Sequence, residues 1–211
     1  MSDLRYVLLS DGSSDNALVP LLTWILRQNL PHCAIQSQWA DLGPLRRPPK
    51  NLAERIRACK KYYDFDLLFI HRDAEAQPRE HRVAEIQAAV AEAGVDPMPV
   101  VCCVVPVRMQ EAWLLFDESA IRKASGNAGG RIPLDMPPLS GVERELDPKS
   151  LLHRLLREAS GLSARRKRRL KVAQRVHRVP VLIADFSPLR GLSAFAALEA
   201  DIKTALSKIG L

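Results

Sequence analysis

Residues 4–9 form a short apolar run that stops at Ser10-Asp11-Gly12, which reads as a strand followed by a turn. Beyond it Leu18, Leu21, Leu22, Ile25 and Leu26 recur at helical spacing, with Ser13, Ser14 or Asp15 available as a cap and Pro20 in the early turns. Residues 33–40 roughly alternate apolar and polar positions and read as a second strand. Gly43-Pro44 and Pro48-Pro49 mark a loop, and Leu52, Ile56 and Cys59 fall on one side of a helix over 51–60. Residues 66–70 are apolar throughout after Asp66, the pattern of a strand covered on both faces in a parallel sheet. A helix over 79–93 stopped by Gly94, an apolar strand over 99–105 and a helical segment over 109–116 follow. This alternation predicts an α/β fold with a Rossmann-like, mostly parallel sheet flanked by helices.

The second half changes character. Glycines and prolines over 125–148 read as an irregular linker or lid. Helical segments are predicted over 150–159 and 163–175, and 179–183 reads as a last strand, at an edge because of Pro180. An amphipathic helix over 192–207, which Ser193 can cap, closes the chain. The expected organisation is an α/β core over 1–124, the linker or lid over 125–148, and a basic helical segment with a closing strand and helix over 149–211.

Composition narrows the class. With 47% apolar and 26% charged residues in 211, the chain is globular and not broadly disordered. Its apolar runs fall far short of the roughly 20 residues a membrane span needs. The start carries no basic n-region or cleavage site, so a cytoplasmic protein without a membrane partner is expected. Four cysteines without a CxxC pair indicate reduced, buried thiols, neither a disulfide framework nor a zinc site, and none of the five histidines shows HExxH spacing.

The net charge of +7 suits a polyanionic partner, and its placement matters more than its size. Bases crowd residues 143–178, where the acids stop at Glu158. The run Arg165, Arg166, Lys167, Arg168, Arg169 and Lys171 points to sequence-independent binding of the DNA or RNA phosphate backbone. Consecutive cations cannot all share one helix face, so a solvated surface is the plainer reading, and the lack of interleaved aromatics argues against base stacking there.

The candidate chemistry sits in the first half. In open α/β sheets ligands bind beyond the carboxyl ends of the strands. Asp11 follows the first strand, Asp73 and Glu75 follow the third, and Glu111 follows the fourth after a short connection. Asp15 lies about one helical turn past Asp11. Carboxylates converging without a compensating cluster of bases call for a hard divalent cation, Mg²⁺ or Mn²⁺. Each acid alone also has a plainer reading. Asp11-Gly12 suits a turn, Asp73 and Glu75 a solvated loop and helix cap, and Glu111 a surface position or an ion pair with Arg108. Asp64 and Asp117 are assigned to turns and caps, and His71 to a structural role.

Ser10-Asp11-Gly12-Ser13-Ser14-Asp15 resembles the first motif of Toprim domains, and Arg72-Asp73-Ala74-Glu75 resembles the second, two acids flanking one residue after an apolar strand. The segment from Gln110 to Asp117 is similar to an E-x-W-L-L-x-D stretch of an uncharacterised bacterial Toprim-like family, whose tail residues 189–198, with Ser193 and Phe195, also resemble. Toprim domains occur in topoisomerases, primases and overcoming-lysogenization-defect nucleases. The resemblance implies a Toprim-type sheet and a Mg²⁺-dependent phosphodiester-cleaving nuclease of a bacterial accessory or defence system. Under it, Asp11 is the acid or base and a further metal ligand, while Asp73 and Glu75 hold the metal. Glu111 joins Asp11 and Asp73 as a catalytic carboxylate, Gly12 and Asp15 support the first motif, and Arg72 and Arg108 neutralise phosphate charge. Asp11 stands where the family usually has Glu, and Glu75 where it usually has Asp. The rival expectation is a non-catalytic nucleic-acid or nucleotide-binding module, or a subunit of a larger complex, with a protein partner or a second copy.

Overall fold

The computed structural model describes residues 3–211. Strand β1 (Asp3–Leu9) leads through a 3-10 turn at Ser13–Leu18 into helix α1 (Val19–Asn29), which tolerates Pro20 because the first turn needs no intrahelical N–H donor. Strand β2 (Ala34–Trp39) and helix α2 (Leu52–Tyr62) follow, the helix capped by the Asn51 side chain accepting from the Glu54 N–H at 2.8 Å. Strand β3 (Leu67–His71), helix α3 (Arg79–Ala93), strand β4 (Val100–Val104), a 3-10 turn at Gln110–Leu114 and helix α4 (Glu118–Ser125) complete this half. Gly94 ends α3 in the left-handed region at φ 58°, which costs a residue without Cβ little.

All pairings are parallel and the strand order is β2-β1-β3-β4. The protein is therefore an α/β chain with a Rossmann-like parallel sheet. The period-2 alternation divides the sheet between two cores. Val7, Leu9, Leu68 and Ile70 face α2 and α3, through Ile56, Cys59, Ile86 and Ala89. Leu4, Tyr6, Leu8, Leu67, Phe69, Cys102 and Val104 face the opposite layer, built from α1 and most of the second half.

That second half comprises helices α5 (Pro148–Ala159), α6 (Ala164–Lys167), α7 (Val172–Val176), α8 (Val179–Leu182) and α9 (Ser193–Ile209). The segment 125–148 carries a 3-10 turn at Leu139–Arg144 whose Val142 is fully buried in the same core. Trp113 and Phe195 meet edge to face there, ring centroids 5.7 Å apart.

Three local expectations are corrected. Residues 179–182 form α8, in place of the edge strand expected over 179–183. An apolar run this short does not distinguish strand from helix, and Pro180 suits a helix start as well as a sheet edge. The single helix expected over 163–175 is broken into α6 and α7. None of α6's residues is buried, so no packing sustains it past Lys167, whereas Val172 and Val176 anchor α7. Ser193 does not cap α9 with its own side chain; instead the Glu143 carboxylate accepts from the Ser193 N–H, the Ser193 hydroxyl and the Ala194 N–H at 3.0–3.3 Å. The four thiols are free, with Cys59 and Cys102 buried and Cys33 and Cys103 only half-buried. No described helix is long and apolar enough to cross a membrane.

Candidate functional site

The chain winds one way from β1 to β2 and the other way through β3 to β4, so the strand order reverses between β1 and β3. A cleft of about 340 Å³ opens at this switch point, beyond the carboxyl ends of those two strands, where ligands bind in folds of this kind. Asp11, Gly12, Ser14 and Asp15 line it from the β1 side and His71, Arg72, Asp73 and Glu75 from the β3 side, with Arg82 reaching in from α3.

Backbone pairing fixes the β3 side. The ladder between β3 and β4 continues past the strand ends: the N–H groups of Arg72, Ala74 and Glu75 donate to the carbonyls of Val104, Pro106 and Arg108 at 2.9–3.2 Å. Glu75 and Arg108 both hold positive φ, 54° and 59°, in a region costly for residues with a Cβ, and the bond between them joins the two strained points. The Gln110 N–H then donates to Asp73 Oδ1 at 2.9 Å, and His71 Nε2 lies 3.4 Å from the same oxygen. The His71 ring is buried and its Nδ1 faces the Val104 carbonyl at 2.9 Å. Burial alone would push this imidazole's pKa down; the hydrogen bond and charge of Asp73, with Asp15 beyond, outweigh it, and the net shift is upward. The structural role expected for His71 thus has a definite object, the orientation of Asp73.

The β1 side is built on the Asp15 carboxylate. It is buried and accepts from the Gly12 N–H at 3.0 Å, the Ser14 hydroxyl at 3.1 Å and Gln110 Nε2 at 2.7 Å. Gly12 is extended, at φ −134°, so its contribution is this N–H and not a special conformation. Gln110 ties the loops after β1 and β4 together, and its Oε1 is buried without a hydrogen-bond partner.

The carboxylates are not left to repel one another, which corrects the expectation of acids without compensating bases. Asp11 is held by Arg55 of α2 at 2.6 Å and by Arg72 at 3.0 Å. Arg72 also reaches Glu85 at 3.1 Å, and Arg82 contacts Glu85 at 2.8 Å and Glu75 at 3.2 Å. The Arg82 hydrogen bond holds the Glu85 carboxyl below its usual range, with the charges of Arg72 and Arg82 acting the same way against the opposing effect of burial. Arg55, Arg82 and Gln110 join the site beyond the residues the motifs point to. Arg55 carries no sequence signal, lying 44 positions from Asp11. Arg82, in the first turn of the helix after the second acidic motif, and Gln110, beside Glu111, were within reach of the pattern.

Glu111 does not line the cleft. It is buried in the 3-10 turn beside Trp113 and Leu114, also buried. Burial raises its pKa against a hydrogen bond from its own backbone; the nearby charges of Asp73 and Asp15 raise it further, and Lys149 opposes them. Arg108 likewise contributes its carbonyl and forms no ion pair with Glu111 among the described residues. Asp117 caps α4 as expected, accepting from the Ala120 N–H at 2.8 Å.

Arg165, Arg166, Lys167, Arg168, Arg169 and Lys171 lie outside the cleft lining, and all but Lys167 are exposed. None of these side chains makes a hydrogen bond or ion pair among the described residues. Arg169, Lys171, Arg175 and Arg178 border a shallow groove of about 440 Å³.

Among the described residues, no three carboxylates, histidines or cysteines stand close enough to chelate one ion as the side chains lie. The donor set is nevertheless all oxygen and suits Mg²⁺, which commonly takes one or two carboxylates and keeps its remaining positions for water and phosphate. The chain matches no family model, no curated protein and no solved structure.

Proposed function

We propose that the cleft between β1 and β3 is the active site of a Toprim-like, Mg²⁺-dependent phosphodiesterase, most simply a nuclease. The observation that carries this reading is the meeting of Asp11, Asp15, Asp73 and Glu75 at the sheet's switch point. The resemblance of Asp11-Gly12 and Asp73-Ala74-Glu75 to Toprim motifs supports it.

Asp73 and Glu75 are the residues that would hold the metal, with Asp11 as acid, base or further ligand. Bound there, a divalent cation supplies Lewis-acid polarisation of the phosphate and a more acidic water. The chain's own contribution is positioning. Gln110 and His71 occupy Asp73 Oδ1, which leaves Oδ2 free to face a ligand. Arg72 and Arg82 stand at the rim, where guanidinium groups stabilise phosphate charge. The unpaired bases from Arg165 to Lys171 supply long-range attraction for a polyanion that the acids would otherwise repel.

The pairing of Asp11 and Glu75 with arginines favours a second reading, a nucleic-acid-binding module without turnover. Asp73→Asn separates the two. Cleavage of single- and double-stranded DNA and RNA with Mg²⁺ or Mn²⁺ should be abolished by EDTA in the parent and fall by about 100-fold or more in this variant while binding persists. An Asp73→Asn protein that cleaves as well as the parent rules out the active-site assignment. A parent without turnover, whose binding is lost when Arg165, Arg166, Arg168 and Arg169 become Gln, leaves the binding module.

A further inference from the structure

A second groove, of about 440 Å³, runs between α2 and the loop that follows β2, lined by Arg47, Lys50, Arg57, Lys61 and Tyr62 among others. Leu45, Pro48, Pro49 and Ala58 add apolar lining, and Glu54 is the one acid among the lining residues. The Lys50 N–H donates to the Glu54 carboxylate at 2.7 Å, which fastens the loop to the helix. Arg57 is fixed as well, its guanidinium donating to the carbonyls of Glu92 and Ala93 at the end of α3. Arg47 and Lys50 are exposed and their side chains have no acidic partner among the described residues.

Tyr62, the last residue of α2, is 54% exposed and is the single aromatic among the large apolar side chains that the described residues leave exposed. The Lys61 ammonium lies 5.2 Å from its ring centroid. Cations on a groove beside a half-exposed aromatic ring are what single-stranded nucleic acid requires: the phosphates follow the charge, Lys61 included, and an unstacked base stacks on the ring. Duplex bases are stacked on one another and offer no free face. The α6–α7 surface, with cations and no aromatic, is the contrasting case.

We propose that this groove binds a single-stranded nucleic-acid segment, with Tyr62 stacking on a base and Arg47, Lys50 and Lys61 contacting phosphates. Helix α2 is shared with the acidic cleft, since Arg55, next in sequence to Glu54, reaches Asp11 at 2.6 Å. A strand in the groove therefore lies on the helix that borders the carboxylates. The direction of the strand toward the cleft rests on the proposed nuclease reading; the binding itself does not.

The test is fluorescence anisotropy in EDTA with a labelled oligothymidine of about 12 nucleotides, which exceeds a minimal site, and a duplex of the same length. Tyr62→Ala should weaken oligothymidine binding by about 5- to 150-fold, the range of one lost stacking contact, and Tyr62→Phe should bind as the parent does. Duplex affinity should not change. Replacing Arg47 and Lys50 with Gln should reduce the slope of log affinity against log salt by about 1.4, two single-strand phosphate contacts. Oligothymidine binding unchanged in Tyr62→Ala, or weakened equally for the duplex, overturns the proposal. Lost cleavage in Asp73→Asn with unchanged binding in Tyr62→Ala overturns the groove and leaves the cleft. Lost binding in Tyr62→Ala with no turnover in the parent leaves the groove and removes the nuclease.

Discussion

Glu111 lies nearly out of reach of water, close to two other acids, and its ionised form is therefore the costly one. A carboxyl whose pKa rises on folding contributes stability at pH values below its unfolded pKa and loses it as the pH climbs through the raised one. Glu111→Gln removes that loss. In EDTA at pH 7 the variant should melt above the parent, by about 2–4 °C for each kcal/mol regained in a chain of this size. The difference should close as the pH falls to the ordinary glutamate range, where the parent is protonated too. A lower melting temperature for Glu111→Gln at pH 7 would mean that Lys149 or another cation holds the carboxylate. Sequence spacing located this residue after β4 but not its depth. A 3-10 turn, with fewer residues per turn than an α-helix, puts Gln110, Glu111 and Trp113 all inside. Arg55 at Asp11 is harder still to foresee, because a partner 44 positions away is created by the fold and leaves no local pattern.

At the scale of elements, periodicity foretells structure where a sheet imposes it. The helix over 79–93 has the observed bounds, and the alternation of strands and helices through β4 matches, because both faces of a parallel sheet demand long apolar runs. Periodicity says less where tertiary contacts decide. VPVL at 179–182 is apolar enough for a strand, and its placement as a helix depends on α1 and α4 packing beside it. The cap of α9 shows the same dependence, because a carboxylate from 50 residues upstream does the work expected of Ser193. Glu143→Ala leaves these donors to water and removes a negative charge from a helix N-terminus, a loss of about 1 kcal/mol. A fall of about 2–4 °C in melting temperature should follow. No change would show that water replaces Glu143 without cost.

Across the whole molecule, the second half is built into the layer that covers the sheet. Phe195 of α9 and Trp113 after β4 share one buried contact, and the core around them takes in β1, β3, α1, α5 and α8. Phe195→Ala should cost about 3–5 kcal/mol. By calorimetry it should lower one cooperative transition by about 6–20 °C. Two separated transitions, with the sheet's own unmoved, would show that residues 149–211 melt independently.

The arginines in the switch-point cleft have a consequence for how ligands enter it. Asp11 and Glu75 already carry counter-charges supplied by the chain, so the divalent cation of the proposed function would compete with Arg55, Arg72 and Arg82 for the same oxygens. Each guanidinium released in that exchange becomes available to a phosphate. An arriving phosphate, by drawing the guanidinium groups away, frees the carboxylates in turn. Coupling of this kind is reciprocal by thermodynamic necessity: whatever factor the polyanion adds to metal affinity, the metal adds to polyanion affinity. On the proposed reading, then, neither ligand alone would find the cleft fully open, and the two would bind as a cooperative pair.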